Sequence, residues 1–173
     1  VAASPVLTVQ ELGWPPLDYS NWIAVTGVIA AITGVILGPF IDRIGSLRIL
    51  KWIVLFRLFT FLAMSYFDNM WGTFSLFESF ILVNAIATQI VTVALIALFM
   101  RLCLQRVAAS QFAVYMALAN LTYSMGSGLL VPLSKLTDYS GMMLFSGLML
   151  GLMLLLLRFV NFDRHDRDLL KLA

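Results

Sequence analysis

Long apolar runs separated by short polar breaks set the pattern of this chain. Five runs are long enough to cross a hydrocarbon core: about Asn21–Ile41, Ile49–Phe67, Phe74–Met100, Val107–Leu133 and Gly141–Val160. A core about 30 Å thick takes about 20 apolar residues in a helix. Backbone polar groups inside lipid find no water, so each run is predicted to close its hydrogen bonds internally as a helix. The alternating segments of about ten residues that a membrane barrel needs do not occur. The expected fold class is an all-α polytopic membrane protein, with residues 1–173 in one transmembrane domain.

The segment Val1–Tyr19, with Pro5, Gly13 and Pro15-Pro16, reads as the end of an earlier helix followed by an exposed turn. With a start at Val1 and no basic-then-apolar leader before the first run, the chain is expected to be a piece of a longer one. Trp14, Trp22 and Trp71 fall where interfacial aromatics belong. Small residues recur at every fourth position: Ala30, Gly34 and Gly38 in the first run, Ala109, Ala113 and Ala117 in the fourth, Gly147 and Gly151 in the last. Such stripes let helix backbones approach closely, as packing within lipid requires.

Composition agrees with the pattern. Apolar residues make up 61% and charged residues 12%, against roughly half and a quarter in soluble domains. A net charge of +2 is too small to suggest nucleic acid as a partner; the lipid bilayer is the expected one. The single cysteine, Cys103, and the single histidine, His165, leave no basis for a disulfide, a metal site or a Cys-His nucleophile, and no cofactor is expected. With five spans the breaks alternate sides. One side holds Arg43, Arg48, Lys51, Arg101, Arg106, Arg158, Arg164, Arg167 and Lys171, and the other only Lys135. The excess assigns the first side, including the mixed-charge tail at 161–173, to the cytoplasm.

Several polar residues stand inside the apolar runs. Arg57 is eight residues past Ile49, roughly 12 Å deep at 1.5 Å per residue. An intramembrane charge costs at least ~2.5 kcal/mol and usually faces protein or a water cavity. Helix counting sets Arg57 level with Asn84 and below Glu78. It is expected to contact Asn84, Glu78 or an anion; the alternative is an arginine snorkelling toward the cytoplasm. Glu78 reads either as a protonatable coupling group or as an interfacial carboxylate reaching water. Asn84, Thr88, Gln89 and Thr92 form a polar stripe, in which the threonines are expected to bond their own backbone while Gln89 needs an external partner. The fourth run carries Gln111, Tyr115 and Thr122 on one face and Asn120, Ser124 and Ser127 on another, which suggests a pathway-lining or central helix. Candidate pathway residues are thus Arg57, Glu78, Asn84, Gln89, Gln111 and Tyr115.

The break between the first two runs reads Gly38-Pro39-Phe40-Ile41-Asp42-Arg43-Ile44-Gly45-Ser46-Leu47-Arg48. It resembles the G-x-x-x-D-R-x-G-x-x-R/K loop of major facilitator transporters. Gly38 and Gly45 would allow close backbone approach, and Asp42 and Arg43 would latch to charges or a helix end, Arg48 being the closing basic residue. A plain cytoplasmic turn is the alternative. Further on, Phe77-Glu78-Ser79-Phe80, Ala97-Leu98-Phe99-Met100-Arg101-Leu102-Cys103, Ala108-Ala109-Ser110-Gln111-Phe112-Ala113 and Ala117-Leu118 resemble the late helices of AmpG-type muropeptide permeases and the wider peptide/acetyl-coenzyme-A transporter family. Ser110 replaces a threonine of that pattern, and Thr122 or Tyr123 stands where a basic residue is common.

The resemblance implies the C-terminal half of a major facilitator bundle, with the end of helix seven and helices eight to twelve. It implies proton-driven import of muropeptides or a related polar solute across the bacterial inner membrane, with the missing N-terminal half as partner. Siderophore or acetyl-coenzyme-A carriers are the related alternative, and a non-transporting membrane scaffold is another. An intramembrane enzyme is not expected, since no His, Cys or Asp pair lies within a run.

Overall fold

A computed structural model describes residues 4–72 and 74–159, so the tail expected at 161–173 lies outside the described residues. Among them every regular element is a helix. Five long helices follow one another: α1 (Pro16–Ile44), α2 (Ser46–Tyr66), α3 (Phe74–Leu102), α4 (Ala108–Leu133) and α5 (Tyr139–Phe159). Each expected run becomes one helix, with ends that differ by up to five residues. Pro16 occupies the first turn of α1, where its missing N–H costs nothing. Asp138 Oδ1 accepts the N–H of Gly141 at 3.0 Å and caps α5.

Of the five expected spans, three helices are long and apolar enough to cross a membrane: α1, α3 and α5, with mean hydropathies of 2.1, 2.3 and 2.1 over their most apolar stretches. The helix α2 carries Arg48, Lys51 and Arg57, and α4 is studded with polar side chains from Ser110 to Ser127. Only 17% of the apolar stretch of α1, 22% of that of α3 and 17% of that of α5 is buried within the protein. The outward positions are themselves apolar, as Val35 and Leu152 illustrate at 79% and 48% exposed. Contiguous apolar surface of this extent marks a face made for something other than water.

Helices α2 and α3 form the centre. Against them lie α5, antiparallel to α2, and α1, parallel to α3. Small residues make both outer contacts. A Cβ on Gly34 would stand 2.9 Å from Gln89 Cγ, and one on Gly147 would stand 3.2 Å from Leu62 Cδ2. The α1 stripe Thr26, Ala30 and Gly34 is buried accordingly. At one end of the α2–α5 pair, Ser65 and Ser140 exchange reciprocal bonds: Ser65 Oγ donates to Ser140 O at 3.0 Å and Ser140 Oγ to Ser65 O at 2.9 Å. Toward the other end a core of Ile41, Leu50, Val54, Ala94 and Leu98 joins α1, α2 and α3.

The Ser65 end is plugged by aromatic rings. Phe77 is fully buried and meets Trp14 edge-on at 6.3 Å, with Trp71 at 6.2 Å and Phe80 at 6.0 Å. Trp14 and Trp71 are therefore core residues rather than members of an interfacial belt. The Trp71 indole donates to Met64 O at 2.9 Å, which satisfies its polar edge inside the plug. The opening segment is, as expected, helical (Ser4–Glu11) and then turns with Gly13, Pro15 and Pro16 exposed. Leu7, Thr8 and Trp14 are buried, and Trp14 N donates to Thr8 O at 3.1 Å.

Two expectations about packing change. Helix α4 is not central. None of its described side chains is buried, and the stripe Ala109, Ala113 and Ala117 is exposed rather than packed into an interface. It meets the bundle mainly through its first turns, beside the end of α3. The stretch Gly38–Arg48 is also not a loop. It is helical on both sides of a single junction residue, Gly45, whose φ of 99° and ψ of 124° suit glycine alone. A Cβ on Gly38 or Gly45 would meet nothing within 4 Å, so close backbone approach is not the reason for either.

The two glycines should then behave differently. Gly45→Ala is expected to cost about 1–3 kcal/mol through its backbone conformation. Gly38→Ala, inside a helix and facing open space, should leave stability unchanged or raised. Thermal unfolding of the two variants in detergent, followed by helical circular dichroism, checks this; equal losses would contradict it.

Candidate functional site

Arg57 sits near the middle of the 21-residue helix α2. Because α2 begins at Ser46 rather than Ile49, Arg57 is roughly 16 Å from the helix start at 1.5 Å per residue, deeper than expected. Its Nη2 donates to Asn84 Oδ1 at 2.9 Å, joining the two central helices. Its Cζ lies 5.7 Å from the centre of the Phe61 ring, one turn further along α2, within the range of a cation–π contact. The guanidinium therefore leans toward the aromatic plug and away from the Ser46 end. The snorkelling arrangement, which would send it toward the Ser46 end, is not adopted.

Two features make this site chemically unusual. Arg57 Nε is buried with no hydrogen-bond partner, and no carboxylate among the described residues pairs with the guanidinium. A buried cation normally finds an anion or fills its donors. Phe61 also stacks edge-to-face with Phe80 at 5.6 Å, so the plug seals the space on one side of the charge. The arrangement is a half-satisfied cation beneath an aromatic lid, suited to holding an anionic or strongly polar group.

The other candidates are placed as follows. Glu78 is half-buried near the start of α3; its backbone carbonyl accepts the Trp22 indole at 3.3 Å, and its carboxylate has no partner among the described residues. Thr88 Oγ1 and Thr92 Oγ1 donate to the carbonyls of Asn84 and Thr88 at 2.7 and 3.0 Å, so both serve their own backbone. Gln89 lies against Gly34 at the α1–α3 contact, and no hydrogen-bond partner for its amide is seen among the described residues.

Gln111 and Tyr115 are not brought to Arg57. Gln111 Oε1 accepts the N–H of Leu104 at 2.7 Å, and Tyr115 packs on Phe99 at 5.4 Å between ring centres. Phe99 is fifteen residues beyond Asn84 on α3, roughly 22 Å along the helix. Both residues organise the α3–α4 corner. Asp42 and Arg43 are exposed at the end of α1, with no partner among the described residues.

Sequence reasoning missed Phe61, although its position four residues after Arg57 puts it on the same helix face. It also missed that the basic residues counted for topology gather in space. Arg48, Lys51 and Arg158 line one cleft between α2 and α5. The comparisons add nothing to these placements: no family model, curated protein or solved structure matches the chain.

The Arg57–Asn84 bond is open to a double-mutant cycle. Asn84→Leu orphans the guanidinium further and is expected to cost about 1–3 kcal/mol. Arg57→Leu combined with Asn84→Leu should cost less than the sum of the single changes, with a coupling of about 0.5–3 kcal/mol. Denaturant titration of the four proteins in mixed micelles measures it, and strict additivity would deny the bond. At the other site, Gln111→Ala should lower stability by about 1 kcal/mol. Gln111→Glu, which keeps an acceptor for Leu104, should lose less in the same titration.

Proposed function

We propose that this chain is the C-terminal half of a secondary active transporter of the major facilitator type, importing muropeptides or a related polar solute in a proton-driven cycle. The observation that carries the reading is Arg57. A cation near the middle of an apolar helix, bonded to a neutral amide and lacking a carboxylate, has a cost that ordinary stability does not explain. A polar solute with anionic groups, entering beside Asn84, would complete its hydrogen bonds. Transport sites of this architecture lie near mid-membrane between structural repeats, which is the depth at which Arg57 stands on its helix.

Supporting features come from the sequence. The Gly38–Arg48 segment resembles the transporter signature, and the basic residues favour one side nine to one. In this reading all five helices span the membrane, α2 and α4 being shielded by protein or a hydrated path. Asp42 and Arg43 stand at the cytoplasmic gate with Gly38, Gly45 and Arg48, and the C-terminus is cytoplasmic. The polar faces of α4 turn toward the other half of the transporter. Glu78 is the candidate proton carrier.

The test is uptake of labelled muropeptide by proteoliposomes holding the complete transporter under an imposed proton gradient. Gradient-dependent uptake is expected, and Arg57→Gln should reduce it about tenfold or more, the loss of one charged hydrogen bond of at least ~1.4 kcal/mol. Uptake unchanged in Arg57→Gln would remove this residue from the pathway. No uptake above background, with siderophores or coenzyme-A thioesters carried instead, would reassign the substrate within the same class.

A further inference from the structure

At the Ser46 end of α2, far from the Arg57 site, lies a cleft of about 420 Å³ between α2 and α5. Its lining is Arg48, Lys51, Trp52, Leu55, Leu154 and Arg158. Three cations and three apolar side chains make the whole wall, with no carboxylate among them. Arg158 ends α5, where the helix dipole favours a cation. Arg48 and Lys51 stand in the first turns of α2, where the dipole is positive and disfavours them, and no acidic residue occupies that turn. No acidic side chain lines the cleft to offset these two further positive charges. All three are exposed, so their cost is small, but their joint field calls for an anion.

The apolar half of the wall narrows the choice. Trp52 is 68% exposed, and no hydrogen-bond partner for its indole is seen among the described residues. The same side chain borders a second groove of about 510 Å³ on its other side, where Leu37, Phe40, Ile53 and Phe56 contribute to a lining without a single polar residue. A headgroup-sized cationic pocket thus continues, across one tryptophan, into a hydrocarbon-lined trough. A soluble phosphate would use the first and leave the second empty.

We propose that this surface binds one anionic phospholipid. Its phosphate sits among Arg48, Lys51 and Arg158, and the Trp52 indole donates to the headgroup region. Its acyl chains lie along Leu55 and Leu154 and in the trough beyond Trp52. Basic pockets between helices at the cytoplasmic face of a membrane recognise acidic headgroups in this way. The inference rests on the reading of the chain as a membrane protein, but not on the transport reaction or its substrate.

The experiment compares the purified protein in nanodiscs of phosphatidylcholine mixed with phosphatidylglycerol, with lipid retained after extraction counted by native mass spectrometry. The wild type should retain phosphatidylglycerol in preference to phosphatidylcholine. Each of Arg48→Gln, Lys51→Gln and Arg158→Gln should weaken the preference about fivefold, and the triple change about a hundredfold, from about 1 kcal/mol per basic residue. Arg43→Gln, a basic residue outside the cleft, should leave it unchanged. Helical circular dichroism of each variant confirms that the fold persists, and the wild-type preference is decisive without any variant.

Retention of both lipids in equal amounts would overturn the proposal, as would a loss in Arg43→Gln equal to that in Lys51→Gln. Displacement of the lipid by inorganic phosphate at matched concentration would reassign the cleft to a soluble anion and equally overturn it. Failure of the membrane reading looks different. The protein would then float with no vesicle of either composition, whereas failure of this proposal alone leaves an inserted protein without lipid preference.

Discussion

The governing constraint is that α1, α3 and α5 are apolar on the faces they turn outward as well as on those they turn inward. Apolar burial then offers little to drive one helix onto another, because the surroundings that suit these faces are as apolar as the interior. Association has to come from close backbone approach, ring packing and a few polar contacts between helices. Several of the main contacts are of this kind, beside the aliphatic core around Leu50 and Val54. Gly34 admits Gln89, Gly147 admits Leu62, Ser65 and Ser140 trade hydrogen bonds, and five aromatic side chains interlock at one end.

Within that frame the two ends of the α2–α3 core have opposite character. One is closed by Trp14, Phe61, Trp71, Phe77 and Phe80, with the Trp71 indole bonded to Met64 O inside the cluster. The other gathers cations on the surface, with Arg48, Lys51 and Arg158 around one cleft. Arg57 lies between. Its single strong bond to Asn84 ties the central helices, while its buried Nε stays open. One residue thus both ties two helices and retains an unmet donor at their interface.

Much of this was legible beforehand, for identifiable reasons. The positions of five helices followed from apolar runs, since hydrogen-bond closure leaves no other conformation in such surroundings. Helix rise put Asn84 among three expected partners of Arg57, because two adjacent antiparallel helices bring equal depths together, and the structure selects Asn84. The roles of Thr88 and Thr92 followed from the reach of a short side chain to the carbonyl one turn earlier. Less legible were features set by neighbours distant in sequence. Trp14 and Trp71 looked interfacial because tryptophan in a polar break usually is, yet the fold turns both onto Phe77. That the oxygen of Gln111 accepts the N–H of Leu104 was likewise not legible. Gly45 was recognised as necessary, but for the wrong cause: its φ of 99°, rather than crowding, requires glycine.

Taken alone, the order of residues determined the helical class, the number of long helices and the place of Arg57 inside one of them. These depend on local properties, namely hydropathy, helix rise and backbone hydrogen bonding, which act within a single segment. Only the tertiary structure decided which helices touch, that α4 stays at the margin, and that residues 48, 51 and 158 share one cleft. Which faces meet is set by shape, glycine against a bulky partner and ring edge against ring face. Such matches exist between segments and are written in no single one of them.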